Sequence, residues 1–185
     1  MDRPQIWTVG HSRHDLLAFC DLLRVQSIEM VADIRSHPFS RFNPQFNRGR
    51  LQAALGEAGV DYTHLGDELG GRPRDPSFYD AQGGVRYELV SRSARFGAGM
   101  ARLTEVSQRR RVAVMCSEED PGRCHRRMLV GPALLARGFR VSHIRGDGTV
   151  ADEPAVVTRT WQGDLFGDDA TGPGTAPGPA GLAGV

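Results

Sequence analysis

Apolar positions along the chain fall into two kinds of block. Short runs at Ile6 to Val9, Met30 to Ile34, Val60 to Leu65, Val112 to Met115 and Phe139 to Ile144 read as buried strands, each bounded by polar or glycine-rich turns. Between them the apolar residues take helical spacing. Leu16, Phe19, Cys20 and Leu23 recur at i, i+3, i+4 and i+7, a core-facing stripe in which Cys20 serves as a small hydrophobe. Ser12-Arg-His-Asp15 ahead of that stripe has capping-box form, with Ser12 as the cap and Asp15 reaching back to it. A short helix is predicted around Leu51 to Leu55, ended by Gly56 or Gly59. A broad helical stretch from Tyr87 to Arg109 should be interrupted at Gly97 and Gly99, and a helix from about Arg123 to Ala136 should stop at Gly138. Strands alternating with helices predict an α/β fold: a mostly parallel five-stranded sheet in three layers with right-handed crossovers.

The domain is expected to span residues 1–150, followed by an extension over 151–166 and a tail over 167–185. Nine of the last nineteen residues are Gly or Pro, a composition with little to bury, so the tail is expected to be disordered. Gly66 to Gly84 reads as a long irregular segment, and loops of that length in a compact domain usually carry function.

Composition excludes more than it assigns. With 39% hydrophobic and 24% charged residues, and no stretch of roughly 20 apolar residues, no membrane association is expected and the cytoplasm is the default compartment. Three cysteines with no export signal predict reduced thiols rather than a disulfide framework. The net charge of +1 argues against tight non-specific DNA binding, and Arg109-Arg-Arg111 reads as a solvated helix end. All 23 basic residues are arginine, so only arginines placed at strand ends carry weight.

Chemistry gathers at those strand ends. The fourth run leads into Cys116-Ser-Glu118-Glu-Asp-Pro-Gly-Arg-Cys124-His125-Arg126, which delivers two thiols, carboxylates, an imidazole and guanidinium groups to one turn. Gly10-His11-Ser12 follows the first run, Asp33-Ile-Arg35-Ser36-His-Pro with Arg41 follows the second, and Gly70-Gly-Arg72 follows the third. Because ligands of open α/β sheets sit at the carboxyl ends of strands, these loops are expected to converge on one pocket.

Within it, Cys116, Glu118, Cys124 and His125 are the candidate catalytic residues. His11, Ser12, Asp33, Arg35, Ser36, Arg41, Arg72 and Arg126 are the candidate substrate-binding residues, the arginines because a guanidinium clamps phosphate or another anion bidentately. Glu118 is the candidate general acid or base, with a solvated loop charge as the alternative, and His11 is a candidate hydrogen-bond donor or proton shuttle, with a loop-anchoring histidine as the alternative. For Cys116 and Cys124 the alternatives are a nucleophilic thiolate, a buried strand-end residue without chemistry, a reversible disulfide, and a zinc or other divalent metal site shared with His125 and His11. The C-x7-C-H spacing is not one of the compact zinc spacings, and six residues separate Cys116 from Arg123 where a phosphatase loop has five, so no cofactor is assigned. The alternative for Arg35 is a structural pair with Asp33 or Glu118, and His14, His64 and His143 are expected to be structural.

Thr8-Val-Gly-His-Ser12, Asp33-Ile-Arg-Ser-His-Pro38 running to Asn47, Leu69-Gly-Gly-Arg72, and Met115-Cys-Ser-Glu118 with Pro121 and Cys124-His-Arg126 together resemble the bacterial and archaeal family catalogued as domain of unknown function 488, over roughly residues 6–148. The resemblance implies a Rossmann-like α/β fold and supports the site residues, and it implies no reaction. Beyond the domain, Gln162-Gly-Asp-Leu165-Phe166 resembles the short peptides with which bacterial proteins dock on the replicative sliding clamp. Packing of Leu165 and Phe166 with Trp161 back onto the domain is the alternative. The expected function is an enzyme acting on a phosphate-bearing substrate, nucleotide or nucleic acid in class, recruited to DNA repair or replication by that peptide. The alternative is a non-catalytic clamp-associated module or a thiol-based redox sensor.

Overall fold

The computed structural model describes residues 3–153. Its strands are β1 (Gln5–Gly10), β2 (Met30–Asp33), β3 (Asp61–His64), β4 (Val112–Cys116), β5 (Arg140–Ile144) and β6 (Val150–Asp152). They form one sheet in the order β3-β2-β4-β1-β5-β6, in which only β6 is antiparallel to its neighbour. The helices are α1 (Leu16–Val25), α2 (Arg48–Glu57), α3 (Gly66–Leu69), α4 (Tyr87–Arg92), α5 (Ala94–Ser107) and α6 (Gly131–Ala136). They cover both faces. One face buries Ile6, Val112, Val114 and Val141 with Phe96, Met100 and Leu134. The other buries Trp7, Val9, Val31 and Met115 with Phe19, Leu23, Leu51 and Leu55, and Cys20 packs at its margin. Both faces of β4 are buried, which is why its residues alternate between the two cores yet form one continuous apolar run.

The sheet has six strands where five were expected. β6 is short and exposed, so periodicity does not reveal it; the local signal is Asp147-Gly148, where Gly148 has φ +85° and the Asp147 carboxylate accepts from the Thr149 N–H. The strand crosses the boundary drawn at residue 150. Just beyond it, the buried Glu153 accepts from Arg127 and faces His143, whose other ring nitrogen meets the Thr8 hydroxyl at 2.7 Å. Burial raises the Glu153 pKa, but the bonds from His143 and Arg127 outweigh it and hold the group below its ordinary range.

Three helix boundaries also differ. Asp15, not Ser12, caps α1 by accepting from the Ala18 N–H; the Ser12 N–H is bound by the Ser117 carbonyl, and its φ of +46° excludes it from the helix. The stretch from Tyr87 breaks at Ser93, whose hydroxyl accepts from the Phe96 N–H as the cap of α5. Gly97 and Gly99 lie inside α5 without interrupting it, and Gly99 lets α3 approach, since a Cβ there would stand 2.5 Å from Glu68. The expected helix over 123–136 is a 3₁₀ turn (Pro121–Arg123), a π-helical turn (Arg126–Val130) and then α6. Pro132 lacks an N–H and crowds the carbonyl four residues earlier, so the Gly131 N–H reaches back to Arg126 instead. Gly138 ends the segment at φ +84°.

Arg110 and Arg111 close the opposite end of the sheet. Arg110 pairs with Asp61 at 2.5 Å, and Arg111 donates to the Gln26 carbonyl and lies 4.1 Å over the Trp7 ring.

The crossing of β1 and the β4 loop leaves no room for a side chain at Gly10, where a Cβ would stand 1.8 Å from the Glu118 carbonyl oxygen. Gly10→Ala is expected to cost at least about 3 kcal/mol or prevent folding. Gly97→Ala, where a Cβ meets nothing within 4 Å, should be neutral or stabilise by up to about 1 kcal/mol. Urea unfolding of the two variants checks this.

Candidate functional site

A cleft of about 300 Å³ opens at the carboxyl ends of β2 and β4, the adjacent central strands. Of the residues singled out in the sequence, Arg35, Ser36, Arg72, Cys116, Glu118, Cys124 and His125 line it. His37, Tyr87, Ser117 and Arg123 line it as well. His37, Ser117 and Arg123 were inside the quoted motifs; Tyr87 lies on a helix far along the chain and had no local signal.

The floor is a sulfur and imidazole cluster. β4 ends at Cys116, and the 3₁₀ turn returns the chain so that Cys124 and His125 face it. The His125 Nδ1 lies 3.7 Å from Cys116 Sγ and 3.8 Å from Cys124 Sγ. Its Nε2 is 3.1 Å from the Ile34 carbonyl, which can only accept, so Nε2 carries a proton and Nδ1 faces the two sulfurs. Gly71 permits this position, because a Cβ there would stand 2.6 Å from the His125 ring. The Arg126 N–H donates to Cys124 Sγ at 3.4 Å. Neither cysteine is in a disulfide.

The two thiols differ in their chemistry. Donation from Cys124, with His125 alongside, overcomes burial and pushes the Cys116 pKa down to about 4, so Cys116 is a thiolate at neutral pH. The thiolate in turn raises the pKa of Cys124, which keeps its proton. Low pKa and a position on a cleft wall are the attributes of a reactive thiol.

Several other residues from the sequence motifs serve the scaffold. Arg126 is fully buried, and its guanidinium donates to the carbonyls of Glu118 and Glu119, so it grips the cysteine loop and turns no face to the cleft. Glu119 is drawn away from the cleft to Arg145 and the Gly146 N–H. Arg35 makes a bidentate pair with Asp33 at 2.9 and 2.6 Å and donates to the Phe46 carbonyl; its remaining nitrogen lies 3.1 Å from His11 Nε2. Asp33 also accepts from Tyr62 and lies beneath the cleft without lining it. His11 is stacked on Phe46 at 4.3 Å behind Arg35, and Ser12 is tied to the β4 loop. Arg41 is exposed outside the cleft lining. His64 holds the Arg35 carbonyl at 3.0 Å. Gln162, Leu165 and Phe166 lie outside the described residues.

Arg72 and Arg123 behave differently. Both are exposed on the cleft wall, and neither forms an ion pair among the described residues. A second hollow of about 230 Å³ shares Ser36, His37 and Arg72 with the cleft and is lined also by Pro73, Phe78 and Val90 and by the acidic Asp67, Glu68 and Asp75.

Fold and site together define a Rossmann-like α/β domain with a cysteine–histidine cluster at its central strand ends. The model of the family described as Domain of unknown function DUF488 matches residues 15–131, more than half of the chain, and the protein belongs to that family. No curated protein and no solved structure matches the chain. Among the described residues no helix is long and apolar enough to cross a membrane.

Two expectations follow from these charges. In metal-free protein, alkylation of Cys116 by iodoacetamide should be nearly constant from pH 6 to 9 and vanish in Cys116→Ser, whereas Cys20, with its pKa raised by burial, should react only at alkaline pH. Burial, aided by Arg35, lowers the His11 pKa to about 4, so the unfolded chain takes up that proton first as acid is added. Stability should therefore fall as pH drops from about 6.5 to 4, by at most roughly 3 kcal/mol from this group. Urea unfolding across that range should show a shallower decline in His11→Gln.

Proposed function

We propose that the protein is an enzyme acting on a phosphate-bearing substrate, nucleotide or nucleic acid in class. The observation that carries this is the presence of two unpaired guanidinium groups, Arg72 and Arg123, on the same cleft as the Cys116 sulfur. An arginine already bound to a carboxylate adds little to anion affinity, and these two are open to a phosphate's oxygens. His37 and the Ser36 hydroxyl add further polar groups on the same wall. Cys116 is the nucleophile of the metal-free cluster, and the exposed Glu118 carboxylate handles a proton.

The nucleotide part of the proposal rests on two features. The adjoining hollow offers apolar surface from Pro73, Phe78 and Val90 to a base or sugar, beside polar and charged groups. Phe39 and Phe42 are 70% and 88% exposed on the loop that carries His37, and they flank Arg41 in sequence, a combination suited to stacking on a base.

A thermal-shift series with inorganic phosphate, pyrophosphate and nucleotides tests the binding step. A ligand at 100 times its Kd should add roughly 2.7 kcal/mol, or about 5–10 °C in Tm. Arg72→Ala and Arg123→Ala should each remove most of that shift. If no anion moves the wild-type transition, or both variants shift as the wild type does, the proposal fails. Cys116→Ser and Glu118→Gln should keep the shift and lose turnover; a non-catalytic module would show no change in either.

A further inference from the structure

We propose that Cys116, Cys124 and His125 form a binding site for zinc or a similarly soft divalent cation, with a fourth coordination position open to the cleft. Three independent features of the cluster support it.

The first is spacing. A tetrahedral ion with metal–sulfur and metal–nitrogen bonds of about 2.3 and 2.05 Å separates sulfur from nitrogen by about 3.6 Å. The observed separations are 3.7 and 3.8 Å, and all three donor atoms lie within 4.8 Å of one another. An ion could enter with small side-chain shifts.

The second is orientation. A metal-ligating histidine donates its other ring N–H to a carbonyl or carboxylate, which fixes the tautomer and aims the lone pair. His125 does this through Nε2 and Ile34, and Gly71 lets the ring lie where its Nδ1 faces both sulfurs. The Arg126 N–H on Cys124 Sγ supplies the hydrogen bond that a coordinated thiolate accepts.

The third is enclosure. The donors are 6%, 2% and 9% exposed, yet all three residues line the cleft that Arg72 and Arg123 also line, so a fourth position can open to it. Two thiolates neutralise a divalent charge, so the occupied cluster carries no net charge of its own. The sequence spacing alone argued against the compact zinc motifs, but those motifs describe closed four-ligand structural sites. Two sulfurs and one imidazole with an open position is the donor set of a catalytic zinc site.

The metal does not depend on the proposed function; only the use of the open position does. With the ion bound, Cys116 becomes a ligand, and a water or phosphate oxygen in the fourth position takes its place at the reacting end of the cleft. The anion-binding wall is common to both states.

Cobalt(II) titration of chelator-treated full-length protein tests the site. One equivalent should produce sulfur-to-cobalt charge-transfer absorption in the near ultraviolet and intense tetrahedral bands in the visible, both displaced by one equivalent of zinc. Cys116→Ser and Cys124→Ser should abolish the charge-transfer band or cut it by half or more, and His125→Ala should weaken binding at least tenfold. Cys20→Ser should leave everything unchanged, and circular dichroism should show each variant folded. Absence of a charge-transfer band in folded wild type, or its persistence in a folded Cys116→Ser/Cys124→Ser double variant, overturns the proposal. The phosphate thermal shift is measured on the same metal-free protein, so failure of the metal site leaves the anion site standing, and the converse holds.

Discussion

The site depends on a cation that solvent does not reach. Arg126 is wholly buried, and its guanidinium is held by the carbonyl oxygens of Glu118 and Glu119, within the loop that joins the two cysteines. A buried guanidinium is costly unless its donors are satisfied; two of its nitrogens bond the loop carbonyls while Nε has no partner among the described residues, so the arginine relies on the loop to offset its burial. That grip returns the chain after β4 and brings Cys124 and His125 back over Cys116. It works only because Gly10 presents no side chain where β1 passes beneath the Glu118 carbonyl. The positive charge also lies near the Cys116 and Cys124 sulfurs, so the cation that shapes the loop favours negative charge at the cleft floor.

A second charge system fixes the neighbouring wall. Asp33, Arg35, His11, Tyr62 and the Phe46 carbonyl form a closed network at the end of β2, with Phe46 clamped between His11 and Phe19. Burial keeps His11 neutral, so it accepts from Arg35 without adding a like charge. The arginines of the strand-end loops thus divide by burial. Arg35 and Arg126 build the walls, while Arg72 and Arg123 remain available to a solute. Rigid walls with exposed cations on the rim would combine precise placement of the cluster with electrostatic attraction of an anion.

The cluster itself is asymmetric for a geometric reason. The two sulfurs share one proton, which Cys124 keeps and donates toward Cys116, so one thiol ionises and the other does not. A soft cation would remove that asymmetry by replacing the proton.

Much of this was legible in the chain. The five parallel strands, the face of α1, the stop at Gly138 and the gathering of chemistry at strand ends all follow from periodicity and from glycine conformation, which are local properties. β6, the break at Ser93 and the π-helical turn were less so, because a three-residue exposed strand has almost no period and a cap competes with glycine as a helix signal. Of the arginine roles, the pairing of Arg35 with Asp33 was among the expectations, and the rest were not legible. Arg35, Arg72, Arg123 and Arg126 look alike in sequence, and only the strand order, which sets β2 beside β4, decides which guanidinium is enclosed by carbonyls and which meets water. The same holds for the three donors of the floor. Their residue types are written in the chain, but their separations of less than 5 Å exist because a buried hydrogen-bond network folds one loop back on itself, and such a network has no one-dimensional signature.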